Sequence, residues 1–457
     1  MIQTTITTSR SSEEELMNNK VKVCDALCGF GKTSACIKMM NEATDKKFIF
    51  VTQFLSEVER IKNGCAERHF VSPESNIAKR QTKLSDVHRL LENGRNIATT
   101  HSLFVSYTEE TKQLIEEQGY TLVLDESVDV LCPMDLIQED VDILVRSNTI
   151  RETENGNIDL IFDDYCKGEH GRFYDELSKA RSKNLLKFHD EFFCWTLPPE
   201  LFTCFNEVYV LTYMFRAQPL CSFFEVHRIP YEVIGVKNTE LGYIFCPADE
   251  MDRCLDLRNK IHILDNAKVN SIGDHRAALS VSWYNKARYE DDAPMLERLR
   301  KNMGNVFKNI YKASSDDVLW TTFKENVHYL RGKGYTNGFL PYNIRASNEY
   351  AGRRYLAYCV NNFPRPLEKR YYDENGGNWD ADAYALSTMV QWVFRSAIRK
   401  GEEIWIYVPS RRMRTLFAAW VEKLAEGKDL EPIKYQSSRK KKSKTKKNNQ
   451  NNEENEG

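Results

Sequence analysis

The stretch Val21-Lys-Val-Cys-Asp-Ala-Leu-Cys-Gly-Phe-Gly-Lys-Thr-Ser-Ala35 decides how this chain folds. A short apolar strand runs into a glycine-rich turn, and a helix opens at Thr33. Gly29 and Gly31 allow backbone N–H groups to close around phosphate oxygens, and the helix start adds its positive dipole. Phe30, Gly31, Lys32, Thr33 and Ser34 complete the expected nucleotide cradle. Lys32 would reach the β- and γ-phosphates, and the Thr33 hydroxyl would ligate Mg²⁺. The match to G-x-x-x-x-G-K-[ST] is incomplete, because Ala26 stands where the first glycine would be.

A phosphate site of this type needs an acid for the metal and a base for water. Tyr120-Thr-Leu-Val-Leu-Asp-Glu-Ser127 supplies both at the end of an apolar strand, about 90 residues after the glycine-rich turn. Ligands of open α/β sheets bind at that strand edge. Asp125 would hold Mg²⁺ through water, and Glu126 would polarise the attacking water. Each motif alone also fits an ordinary turn or an acidic strand end; together they favour chemistry.

These motifs resemble the ATPase motor of superfamily 2 DEAD/DEAH-like helicases. Ala26 to Thr33 fits that group's A-x-x-G-x-G-K-T, and Asp125-Glu126-Ser127-Val128 its D-E-x-x. Phe50–Leu55 looks like motif Ia and Thr99–Phe104 like motif Ib, so the resemblance implies that Thr52, Thr99, Thr100 and His101 hold a nucleic-acid backbone. Val210–Met214 stands where coupling motif III belongs. In the second half, Val318–Lys324 resembles motif IV, with Thr321 and Thr322 at a strand end, and the 343–350 region resembles motif V, with Arg345, Ser347 and Asn348 as phosphate or sugar contacts. Gln391-Trp-Val-Phe-Arg395-Ser-Ala-Ile-Arg399 looks like motif VI. On one helix, Gln391, Arg395 and Arg399 would share a face, and Arg395 is the expected arginine finger. The wording is nearest to replication helicases of bacteriophages and plasmids.

Composition sets the remaining bounds. At 457 residues, with 41% hydrophobic and 11% aromatic residues, the chain is expected to form two or three domains. Strand-length runs alternating with helical patterns predict α/β units with parallel sheets. The expected strands are Val21–Leu27, Lys47–Phe54, Asn96–His101, Tyr120–Asp125 and Val208–Met214, then Lys260–Leu264, Leu279–Trp283, Val318–Thr322, Gly338–Pro341, Tyr355–Val360 and Glu403–Val408. The implied architecture is two tandem RecA-like parallel-sheet P-loop NTPase domains: an N-terminal segment 1–20, a first domain 21–228 with a mainly helical insertion at about 130–201, a second domain 229–430, and a tail 431–457.

The twelve cysteines include no C-x-x-C pair, so reduced buried thiols without a structural metal are expected. No run suits a membrane span, and the N-terminus lacks the pattern of a secretion signal, which points to a cytoplasmic protein without a membrane partner. The net charge of −2 is uneven. Residues 439–447 carry seven positive charges, and without 439–457 the body holds 57 basic and 63 acidic residues, about −6. That tail is expected to be a solvated arm able to touch phosphates in a salt-dependent way.

The function that follows is an ATP- and Mg²⁺-dependent helicase or translocase acting on nucleic acid. Single-stranded DNA is the first expectation, RNA a second, and replication proteins are possible partners. The alternatives are a duplex-DNA translocase that does not separate strands and an ATP-switched nucleic-acid-binding module.

Overall fold

The structure, a computed structural model, describes residues 21–76, 81–134, 136–153, 157–161, 183–189, 192–289, 293–343 and 349–436. The first domain is built on β1 (Val21–Asp25), β2 (Lys47–Thr52), β3 (Ile97–Thr100) and β4 (Tyr120–Asp125). Along β4 five consecutive residues are buried before Asp125. Such a run, without alternation, belongs to a parallel strand covered on both faces. Helices cover those faces, among them Lys32–Glu42 and Glu109–Gln118.

Between β4 and the return to this sheet lies the insertion. Its described residues contain β5 (Leu131–Pro133), β6 (Ile150–Glu152), β7 (Asn157–Leu160), β8 (Asn184–Phe188) and β9 (Phe192–Thr196), with one helix at Gln138–Arg146. These strands form an antiparallel sheet in the order β5-β9-β8-β7-β6. The expectation of a mainly helical insertion is therefore corrected for the described residues. Cross-strand apolar pairs such as Leu185 opposite Trp195 stabilise short strands, and their high charge content disguised them.

β10 (Glu207–Thr212) then enters the first sheet between β1 and β4. A hairpin of β11 (Tyr231–Thr239) and β12 (Gly242–Pro247) extends the same sheet beyond β1, giving the order β12-β11-β1-β10-β4-β2-β3. The sheet is parallel except for β12. The first domain consequently runs past residue 228, the position expected from sequence. The Ile-Pro-Tyr passage at 229–231 introduces an edge hairpin, not a second domain.

The second domain carries β13 (Ile261–Ile263), β14 (Val318–Thr321), β15 (Tyr355–Tyr358) and β16 (Ile404–Tyr407), all parallel in the order β13-β16-β15-β14. Two expected strands are absent. At Leu279–Trp283 the Trp283 N–H donates to the Ser280 hydroxyl at 3.3 Å, and a helix runs from Val281 to Tyr289. At Gly338–Pro341 only a bridge between Trp320 and Phe339 forms. The fold class is thus mixed α/β with two parallel sheets.

The halves meet through the segment after β10. Tyr213 donates its hydroxyl to Asp429 at 2.6 Å and accepts from the Trp420 indole at 2.8 Å. The Gln218 amide donates to the Ser387 hydroxyl at 2.7 Å. Leu27, Cys28, Tyr213 and Met214 of the first domain pack into the apolar core of the second.

Candidate functional site

The turn after β1 is shaped by its glycines. Gly29 and Gly31 have φ of +88° and +82°, in the left-handed region that side chains rarely adopt. A Cβ on Gly31 would lie 2.2 Å from the Tyr243 ring of β12. Gly31 caps the helix Lys32–Glu42, whose first N–H groups face the turn. Lys32 is buried, and its ammonium donates to the carbonyls of Ala26 (2.6 Å) and Leu27 (3.3 Å). Beneath the turn, the Asp25 carboxylate accepts from the N–H groups of Met214 and Phe215 at 2.7 and 2.9 Å, tying the end of β1 to the segment that reaches the second domain.

A cavity of about 520 Å³ opens above this turn. Gly29, Gly31, Lys32, Thr33, Ser34, Asp125 and Glu126 line it from the first domain, and Arg395 and Arg399 from the second. Burial pushes the Asp125 carboxyl up from 3.8 to about 7, with help from neighbouring Glu126 and Glu57 and opposed by Lys32 and by a hydrogen bond from the Thr52 hydroxyl at 3.2 Å. Glu126 is held at φ +68°, a strained setting for a residue with a side chain, while its N–H donates to Leu211 at 2.9 Å. Strain of this type concentrates at functional positions. Arg395 is 5% exposed, and its Nε lacks a hydrogen-bond partner. Desolvation and the adjacent Arg395 charge lower the pKa of Arg399.

Two neighbouring guanidinium groups and a buried lysine make a site for several negative charges. An orphaned Arg395 Nε and an acid held near neutrality beside a second carboxylate both fit a nucleoside triphosphate with a divalent cation. No group of three or more His, Cys, Asp or Glu among the described residues could hold a metal alone. Thr33 and Asp125 offer two donors, so an ion there would take its other ligands from phosphate and water.

Over 414 residues, 88% of this chain and 99% of the relative, the sequence is 39% identical to the SPbeta prophage-derived uncharacterized protein YonV of Bacillus subtilis (strain 168). The chain belongs to the YonV family. The YonV C-terminal Rossmann-like domain matches residues 255–421, which start just after β12 and enclose the whole second sheet. Among solved structures, S. tokodaii Xpd4 is similar with a TM-score of 0.44 and 13% identity, covering 89% of this chain and 95% of that one. The DUF1998 helicase MrfA bound to DNA and AMPPNP gives a TM-score of 0.32 and 10% identity, covering 91% of this chain and 49% of that one.

In this YonV-family chain the motif VI stretch is not one helix. The helix Ala381–Val393 ends at Phe394, Ser396 is extended, and a 3-10 turn covers Ala397–Lys400. The shared helix face expected for Gln391, Arg395 and Arg399 is therefore corrected. The break carries Arg395 and Arg399 into the cavity, whereas Gln391 is buried on the helix and does not line it. Phe30 is also outside the lining; it packs against one apolar core in each domain. Sequence reasoning missed Cys28, Ser56, Glu57, Arg60, Tyr243 and Glu349, which complete the wall.

A second cavity, of about 1240 Å³, lies between the domains and the insertion. His101 lines it, and its Nε2 lies 3.0 Å from the Asp125 carbonyl. Of the other expected backbone contacts, Thr52 and Thr99 are buried in the sheet, Thr100 ends β3, and Thr321 and Thr322 are fully buried; none lines either cavity. Arg345, Ser347 and Asn348 lie outside the described residues. The residues that do face the cavity include Gln53, Ser102, Asn326, Asn362 and Phe363. Among the described residues no helix is long and apolar enough to cross a membrane.

Proposed function

We propose that this chain is an ATP-driven motor on nucleic acid, binding ATP in the smaller cavity and a single strand in the larger one. The observation that carries the reading is the meeting of Lys32, Asp125 and Glu126 from one domain with Arg395 and Arg399 from the other. The turn N–H groups and Lys32 bind the phosphates, and Gly31 keeps the backbone close enough to do so. A magnesium ion held by Thr33 and Asp125 would neutralise part of the phosphate charge. Glu126 orients water and accepts its proton, its strained backbone fixing the carboxylate at the cavity wall. Arg395 stabilises charge on the transferring γ-phosphoryl group, a role worth ~10³-fold or more in related hydrolases. Because the arginines and the lysine belong to different domains, binding and loss of the triphosphate would close and open the cleft.

The larger cavity exceeds the ~300–1,000 Å³ of ordinary small-molecule pockets, which suits several nucleotides of a strand. DNA replication in a bacteriophage setting is the biological context we infer, in keeping with a prophage-derived relative. ATP turnover measured with single- and double-stranded DNA and RNA as activators tests the proposal. Nucleic-acid-stimulated hydrolysis that Lys32→Ala abolishes is expected; turnover retained in that variant would refute the site.

A further inference from the structure

We propose that the larger cavity reads unpaired bases through Asn326 and Asn362, in addition to holding a strand by its backbone. This inference rests on the functional reading above and adds base discrimination to it. Asn326 and Asn362 lie in the segments that follow β14 and β15, adjacent parallel strands, and both residues line the cavity. Their side chains are almost wholly buried, at 2% and 5% exposure. Yet the Asn326 Oδ1 acceptor and the Asn362 Nδ2 donor have no hydrogen-bond partner. A buried amide atom without a partner costs on the order of a lost hydrogen bond. Both residues line the same wall, so a rotation of each amide would present one free acceptor and one free donor to the complementary groups on a base edge.

The wall is also built to receive a ring. Phe363 lines the cavity beside Asn362, and Phe323 and Tyr342 stand edge to face at 5.3 Å. Fully buried Arg412 fixes this part of the loop. It donates to the Asn361 side chain and to the Asn362 carbonyl, both at 2.9 Å, and its guanidinium lies 4.1 Å from the centre of the Phe363 ring. An ion pair with Asp382 at 2.8 Å holds Arg412 in turn. Bases stack on aromatic rings of this kind in single-strand grooves.

The charge of the cavity argues the same way. Its charged lining residues are Arg288 and Arg365 against Asp129, Glu325 and Glu368, and Arg365 is already paired to Glu368 at 3.0 Å. The lining is therefore net negative and offers phosphates no diffuse attraction, so grip on a strand would come from local hydrogen bonds and stacking on its bases.

The test uses the full chain and fluorescence anisotropy with twelve-residue homopolymers of dA, dC, dG and dT, and with strands abasic at one position. The wild-type protein is expected to rank the homopolymers over roughly tenfold in Kd, and an abasic residue at one position should weaken binding by a similar factor. Asn326→Leu and Asn362→Leu should flatten both effects to about twofold while thermal unfolding stays near that of the parent. Equal wild-type affinity for all strands, or leucine variants that keep the full ranking, would overturn the inference and leave the motor reading standing. If no strand binds and none stimulates hydrolysis, the motor reading itself falls. Should a leucine variant fail to fold, Phe363→Leu takes its place: loss of the abasic penalty supports the inference and an unchanged penalty overturns it.

Discussion

Asp125→Asn tests the chemistry of the site without measuring turnover. The folded protein holds a proton on Asp125 up to about pH 7, against 3.8 for an ordinary aspartate. A carboxyl whose folded pKa is raised contributes its stability below the unfolded value and loses it as pH climbs towards the folded value. At about 1.4 kcal/mol per pKa unit, the full shift has a ceiling of about 4 kcal/mol. About 3 kcal/mol of that falls between pH 5 and pH 8; the carboxylate is partly exposed to solvent, which reduces the expected loss to about 2 kcal/mol. Asparagine keeps the shape and an acceptor for the Thr52 hydroxyl but carries no proton to lose. In metal-free buffer the variant should therefore gain about 2 kcal/mol on the parent from pH 5 to pH 8, or about 4–8 °C in the unfolding midpoint of this domain. Asp25, whose pKa is also raised by burial, is present in both proteins and drops out of the difference. The assay is thermal unfolding followed by circular dichroism at half-unit pH steps, repeated with magnesium and ADP. With magnesium and nucleotide the order should reverse, because only the parent offers a carboxylate to the cation. Parallel pH curves in metal-free buffer would refute the claim that Asp125 is an acid held uncharged by its surroundings.

Arg395→Ala should lower maximal ATP turnover by ~10²–10³-fold while the Kd for nucleotide, read by fluorescence titration, changes by less than about tenfold. Arg395→Lys should recover little of that rate, since one ammonium cannot reproduce the guanidinium fork. Gly31→Ala combines a strained φ with a clash against Tyr243, so titration should show at least a tenfold loss of nucleotide affinity; pairing it with Tyr243→Ala removes the clash but not the strain and should restore only part. Deleting residues 439–457 should weaken strand binding at low salt and leave the maximal ATP turnover intact, and the difference in affinity should shrink as salt rises.

Much of the proposed nucleotide site is legible as sequence because its residues are local. A strand, two glycines, a lysine and a hydroxyl lie within thirteen residues, and β4 announces itself as an apolar run ending in acids. What sequence could not supply depends on how distant segments meet. Tyr243 reaches the glycine turn from an edge hairpin whose polar residues and Ile-Pro start resemble a linker. Arg395 and Arg399 stand out in sequence by their likeness to motif VI, but the helix face expected to align them does not form: the helix ends at Phe394, and an extended Ser396 redirects the chain. The likeness to motif IV puts Thr321 and Thr322 at a nucleic-acid surface, yet both are fully buried. Asn326 and Asn362 carry no motif; what distinguishes them is burial without a partner, a property that exists only in the folded chain.

The two cavities share their supports, and this gives the motor reading a mechanical basis. At the end of β2, Thr52 bonds Asp125 in the smaller cavity, while the next residue, Gln53, lines the larger one. After β3, His101 lines the larger cavity and lies within hydrogen-bonding distance of the Asp125 carbonyl. Beyond Glu126, Val128 and Asp129 continue directly into the larger cavity. A change in the charge or position of Asp125 therefore reaches residues facing the strand through one or two covalent or hydrogen-bonded links, without a long relay. The reverse must also hold, because coupling between two binding equilibria is reciprocal. If a bound strand tightens nucleotide binding, nucleotide must tighten strand binding by the same factor. Gln53→Ala, which leaves every named nucleotide contact in place, should weaken both effects together. Loss of one with the other intact would mean that the link does not run through the end of β2.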